Sequence, residues 1–216
     1  AGLIKPDKFG REGNYYTRFN GCVVFPLLDP SGQVASLYGR HTVKQEHHYL
    51  EGDQRGLYPG YPDPKRTKLI LTEAIIDAAT LQQLPEITKH YGILSLYGTN
   101  GFTQQHSEAV SQLKALKEVI LFFDGDAAGK EAIKRISQDL WQLNKDLGIT
   151  WVDTPESEDV NSLLQLHDPG IFTHLLDGRK PCQPESEPSS LSTEWESEKK
   201  SGENSIENKK DFSSAA

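Results

Sequence analysis

The chain has 216 residues, 36% of them apolar, which is enough for a real core in one or two domains, and it carries a formal net charge of −8. That sign makes it a poor generic binder of nucleic acid, because non-specific binding rests on cations meeting phosphates. No apolar run approaches the roughly 18 residues of a membrane span, no basic-then-apolar leader is present, and Cys22 and Cys182 stand too far apart in sequence for a metal-ligand pattern. A reducing cytoplasm fits this cysteine usage. There is no methionine, even at position 1, so the chain reads as a piece excised from something longer.

In chain order, CVVFPLL (22–28) and QVASLY (33–38) read as two strands joined at Asp29-Pro30-Ser31-Gly32, residues suited to a type I turn. The pattern changes at residue 68. KLILT is followed by a helix from about Ala74, ILSLY (93–97) by a helix from about Thr103, EVILFF (118–123) by a helix from about Ala127, and ITWVD (149–153) closes the series. Short apolar strands alternating with helices predict a parallel sheet covered on both faces. After Asp177 the composition turns to Pro, Ser, Glu and Lys, with little to bury, and predicts a disordered tail. The division is therefore 1–66, a β-rich subdomain; 67–178, an α/β domain; and 179–216, the tail. Lys plus Arg against Asp plus Glu is 9 to 7 in the first, 8 to 16 in the second and 6 to 8 in the third, so the acidic surplus lies mostly in the α/β block.

FFDGDAAGKEA (122–132) sets Asp124 and Asp126 one residue apart after an apolar run. One reading makes them caps for the helix near Ala127, since aspartate accepts hydrogen bonds from the free N–H groups of a helix start. The other notes that ligands of open α/β sheets bind outside the carboxyl ends of the strands, where Asp124, Asp126 and Glu73 all stand. Carboxylate oxygens are hard ligands suited to Mg²⁺ or Mn²⁺, which bind through one or two carboxylates plus substrate phosphate oxygens.

TEAIIDA (72–78), YGTNGFTQQH (97–106) and FDGDAAGKEA (123–132) resemble, in order, the Glu, Gly-Thr and Asp-x-Asp motifs of the Toprim family, in the version carried by bacterial DNA primases of the DnaG type. Upstream, RFNGCVVFPLLDPSGQVASLYGR (18–40) and HHYLEGDQRGLYPG (47–60) look like the segment that precedes Toprim in those primases; downstream, PESEDVNSLL (155–164) resembles the acidic segment that closes their metal site. Three positions depart from the family pattern. Ala74 stands where a glycine is usual, Asn161 replaces the second acid of the downstream pair, and His48 replaces a lysine. Asn161 brings a carbonyl oxygen without charge, and His48 is mostly uncharged near its unperturbed pKa of about 6.5.

The resemblance implies a Rossmann-like parallel sheet with helices on both faces, preceded by the smaller β-rich subdomain. It implies metal-dependent, template-directed RNA primer synthesis on single-stranded DNA from ribonucleoside triphosphates, with Mg²⁺ or Mn²⁺ held by Glu73, Asp124, Asp126 and Asp159. Glu73, Asp124 and Asp126 would be catalytic; Asp77, Gly98 and Thr99 would support the site. Arg18, Arg40, His48 and Arg55 would touch template or incoming phosphates, although each charge could equally be solvated surface. A helicase or a zinc-binding domain on a longer chain is an implied partner, and a role in replication or in a mobile element is open. Two alternatives remain: a Toprim metal-dependent nuclease, and a primase-derived binding module without catalysis, the latter motivated by Ala74 and Asn161.

Overall fold

The structure, a computed structural model, describes residues 3–6, 13–52 and 55–184, which fall in one compact unit ending at Pro184. Of the predicted tail, 185–216 lies outside the described residues. The chain opens with a two-stranded antiparallel pair, β1 (Ile4–Pro6) and β2 (Tyr15–Thr17), which no apolar alternation announces. A three-stranded antiparallel sheet follows, β3 (Cys22–Leu28), β4 (Val34–His41) and β5 (His47–Tyr49), in the order β3-β4-β5. The turn between β3 and β4 forms where expected. The Asp29 carboxylate accepts from the Ser31 N–H at 2.8 Å, the Ser31 hydroxyl at 2.7 Å and the Gln33 N–H at 3.0 Å, closing the loop on itself. Beyond it, Leu28 and Leu57 exchange backbone hydrogen bonds and tie the segment leaving the sheet back to β3.

The α/β part runs β6 (Lys68–Thr72), α1 (Ile75–Gln82), α2 (Pro85–Thr88), β7 (Gly92–Ser95), α3 (Gln104–Ser111), β8 (Glu118–Phe122), α4 (Ala127–Leu143), β9 (Gly148–Trp151), α5 (Val160–Leu166), α6 (Gly170–Asp177) and β10 (Lys180–Pro181). Its sheet has the order β10-β9-β8-β6-β7, parallel throughout except for β10. Successive side chains of a strand point to opposite faces. Leu69, Leu71, Val119 and Leu121 accordingly meet Val110, Ile133 and Ile136 on one face, while Ile70, Ile120 and Phe122 meet Leu81, Leu163 and Phe172 on the other.

β10 departs from the expected tail: the first residues of that span belong to the sheet. Lys180 and Pro181 have no apolar pattern, but an edge strand needs only backbone pairing on one side. The Cys182 N–H bonds the Ile149 carbonyl at 2.9 Å, and Arg179 reaches Glu118 with Nε–Oε1 2.6 Å and NH2–Oε2 3.1 Å. The three-stranded sheet meets the α/β part through Ile75, which packs with Leu27 and Tyr38, and through Tyr97, whose ring stands edge-on to Tyr49 at 5.9 Å.

Candidate functional site

The strand order decides where the site lies. From β6 the chain places β7 on one side, then crosses to the other side for β8 and β9, so the reversal falls between β6 and β8. A crevice opens at such a reversal, outside the carboxyl ends of the strands. In the register of these two strands Thr72 is opposite Phe122, so Glu73 follows one strand and Asp124 leaves the other a residue later, at the same end of the sheet.

Local structure then aims each carboxylate. The Asp126 Oδ1 accepts from the Gly129 N–H at 2.7 Å and caps α4, so the capping reading holds for Asp126; Asp124 makes no such bond among the described residues. Gly129 is required there, because a Cβ would sit 2.3 Å from the Asp124 carbonyl oxygen. Asp159 caps α5 in the same manner, accepting from the Ser162 N–H at 2.6 Å. Both caps leave a second carboxylate oxygen available. Helix α1 begins at Ile75 with Ala74 as its cap position, so Glu73 precedes the helix and does not stand in its first turn.

Asp77 is 2% exposed, so it faces the interior and not solvent. Its Oδ2 accepts from the Ala74 N–H at 3.1 Å; its Oδ1, like the Oε2 of Glu73, is buried without a hydrogen-bond partner. Buried polar atoms are rarely left in that state. The electrostatics agree with crowding. Burial first, then the charges of Asp124, Asp126 and Asp159, push Glu73 up to about 7, against an offset from the Asp124 N–H that bonds it. Burial, then Asp159 and Asp126, push Asp124 up to about 6. Asp77 is raised well above the usual carboxylate range, by burial foremost and then by Asp124, Asp159 and Glu73.

A hard divalent cation fits this donor set: oxygen ligands only, two of them orphaned, and negative charges that raise one another's affinity for protons. Among the described residues no three carboxylate, imidazole or thiol groups already converge on one point as a finished cage. The arrangement is an open array, which suits a cation that keeps water and phosphate oxygens in its shell.

Gly98 lies beside this array, its N–H donating to the Glu73 carbonyl at 3.0 Å from a left-handed φ of 89° that glycine adopts without strain. The Thr99 carbonyl accepts from Arg135 of α4 at 2.5 Å. The other predicted contacts lie on the three-stranded sheet and the segments before and after it. Arg18 bonds the Tyr49 carbonyl and pairs with Glu51 at 3.2 Å; Arg40 lies on β4; His48 stands 4.0 Å from Glu46; Arg55 is exposed. Asn161 turns to α1, with Oδ1 3.3 Å from the Thr80 hydroxyl.

One residue inside the quoted motifs has a role that sequence reasoning missed. His106 is fully buried: its Nδ1 accepts from the Thr103 N–H at 3.1 Å, and its Nε2 stands 3.0 Å from the Ser95 carbonyl, to which it donates. Burial lowers its pKa to about 4, so it is a neutral tie between α3 and the end of β7. The spacing Thr-x-x-His, three residues from a helix cap, was its only trace in the sequence.

Residues 70–164 match the family described as Toprim-like. That stretch is similar to a Toprim-like domain. Proteins of this family generally use divalent metal ions. The chain is 30% identical to the DNA primase of Legionella pneumophila over 83% of its own length and 28% identical to the DNA primase of Neisseria meningitidis over 79%. It spans 31% and 30% of those two proteins, about a third of each. Among solved structures it is similar to the zinc-binding and RNA polymerase domains of the Aquifex aeolicus primase, with a TM-score of 0.65, 24% identity, and coverage of 84% of this chain and 45% of that one. The Toprim-like domain and the β-rich part before it thus have the fold of part of a primase. No helix of the described residues is long and apolar enough to cross a membrane.

Proposed function

We propose that this chain is the catalytic core of a primase, joining ribonucleotides on a single-stranded DNA template in a reaction that needs Mg²⁺ or Mn²⁺. The observation that supports the reading is that Glu73 and Asp124 follow neighbouring strands at the strand-order reversal between β6 and β8, where the charges of Asp124, Asp126 and Asp159 act on Glu73. Likeness to primases on both sides of the Toprim-like domain supports it over the other chemistries of the family.

Primer extension joins a ribose 3′-hydroxyl to the α-phosphate of a nucleoside triphosphate, and such a transfer asks the protein mainly for positioning and charge neutralisation. Glu73, Asp124, Asp126 and Asp159 would hold the metal, whose chemistry there would be to lower the hydroxyl pKa and to neutralise phosphate charge. Glu73 would hold the metal or accept the proton of the attacking hydroxyl; before any metal binds, burial and its acidic neighbours raise its pKa to about 7. Asp126 and Asp159 keep their orientation through their caps, so the carboxylates need not reorganise when substrate arrives. Arg40, His48 and Arg55, with Arg18, which follows β2 and bonds the Tyr49 carbonyl of β5, would follow the template or triphosphate phosphates. A helicase or zinc-binding domain would be supplied by further sequence or another chain.

The test is the purified chain with single-stranded DNA, labelled ribonucleotides and Mg²⁺ or Mn²⁺, scored for synthesis and for cleavage in one reaction. Template-dependent RNA products that vanish with chelator are expected. Cleavage without synthesis would replace primase by nuclease. Binding without either would leave a binding module, the reading that Asn161 favours because its amide turns to Thr80 where the family pattern has an acid.

A further inference from the structure

The loop between β9 and α5, residues 152–159, grips the Asp124 backbone on both sides. On one side the Thr154 hydroxyl donates to the Phe123 carbonyl at 2.6 Å; on the other the Gly125 N–H donates to the Glu158 carbonyl at 2.9 Å. The fit is close enough that a Cβ on Gly125 would stand 1.9 Å from the Pro155 carbonyl oxygen. Thr154 is 5% exposed, so its hydroxyl has no water to exchange for this bond, and the loop is held in one shape that includes a left-handed Ser157 at φ 64°. The same loop ends in Asp159, whose cap on α5 fixes its other end.

We propose that Thr154 is a positioning residue of the carboxylate array: by holding the Phe123 carbonyl it keeps Asp124 facing Asp159 against their mutual repulsion. Like charges brought together separate unless the backbone beneath them is held. Here two hydrogen bonds flanking a single residue hold it, and one comes from a side chain that can be changed. This inference rests on the reading of the carboxylates as a metal site. Valine keeps the shape of threonine and removes the donor; serine keeps the donor and removes a methyl.

The experiment titrates Mn²⁺ alone into the full chain, reading free Mn²⁺ by electron paramagnetic resonance, for wild type, Thr154→Val, Thr154→Ser and Asp124→Asn, with metal-free melting followed by circular dichroism. Groups around metal ligands typically contribute 10–100-fold to affinity. Thr154→Val is expected to weaken Mn²⁺ binding by about tenfold, with Thr154→Ser within about twofold of wild type. If the valine chain does not fold, Thr154→Ala carries the same expectation. Wild-type affinity in the valine or alanine variant, alongside a loss in Asp124→Asn, would overturn the role of Thr154 and leave the metal site standing. Equal binding by wild type and Asp124→Asn would overturn the metal site itself, and the role of Thr154 with it. A serine variant as weak as valine would reduce Thr154 to packing and overturn the proposal.

Discussion

Glu73 at about 7 is half protonated in neutral solution, an unusual state for a carboxyl group whose ordinary value is 4.5. A carboxyl group with a higher pKa folded than unfolded keeps its proton longer in the folded chain, so the metal-free fold loses stability as pH rises from about 4.5 to about 7. His106 works the other way, because a buried histidine near 4 gains stability for the fold as pH rises towards 6.5. Comparing wild type with Glu73→Gln isolates the carboxylate. Without metal, the glutamine variant is expected to melt higher at pH 7.5 by about 2–4 °C, the shift that roughly 1 kcal/mol gives a chain of this size, and the gap should close near pH 4.5. The same variant should lose about two orders of magnitude or more in nucleotide incorporation, the typical range of general-base assistance, while template binding stays within a few-fold. Since Glu73 stands before the helix, no loss of helix-end stabilisation masks the effect. At Asp126 asparagine separates the cap from the metal. It caps a helix about as well as aspartate, so Asp126→Asn should keep the wild-type melting temperature without metal while activity disappears. A fall in melting temperature of several degrees would show that the charge serves α4 first.

Among the elements, β10 gives a direct test of what holds an unannounced edge strand. Glu118 is 15% exposed and receives Nε and NH2 of Arg179, the Thr150 hydroxyl at 2.9 Å, and Lys68 at 3.7 Å. These partners hold its pKa below the ordinary value even though burial alone would raise it. Arg179→Ala removes the paired donors from a largely buried carboxylate, and should cost about 1–3 kcal/mol in urea unfolding. Lys180, next in sequence, pairs with Asp153 at the surface, both about half exposed. Lys180→Ala should change stability by less than about 0.5 kcal/mol. Equal effects would mean that β10 is held by its backbone alone. The four longer strands of the α/β sheet were legible within a residue or two, because β-branched and apolar runs bounded by polar residues are local patterns. β1, β2, β5 and β10 were not, because two or three residues carry no periodicity and are recruited by whatever edge they meet.

For the whole molecule, the question is whether the acidic α/β part and the more basic sheet before it handle nucleic acid together. If Arg40 and Arg55 meet phosphates, replacing each by alanine should weaken single-stranded DNA binding and lower the slope of log affinity against log salt by about 0.7. Titrations at several salt concentrations measure this, and unaltered slopes in both variants would move the track elsewhere. The sequence by itself determined which residues end strands, that Glu73, Asp124 and Asp126 stand just beyond such ends, and that a helix follows the second aspartate, which can cap it. Apolar runs and cap residues act over a few neighbours, so they are written in the order of the chain. Only the tertiary structure decided that β8 lies beside β6 with β7 on the other side, which brings two distant strand ends side by side. It decided also that Asp77 is dry, that Asn161 turns to Thr80, and that Thr154 grips Phe123. Sheet order and burial come from packing two helical layers onto one sheet, a balance among segments far apart in sequence that no single stretch records.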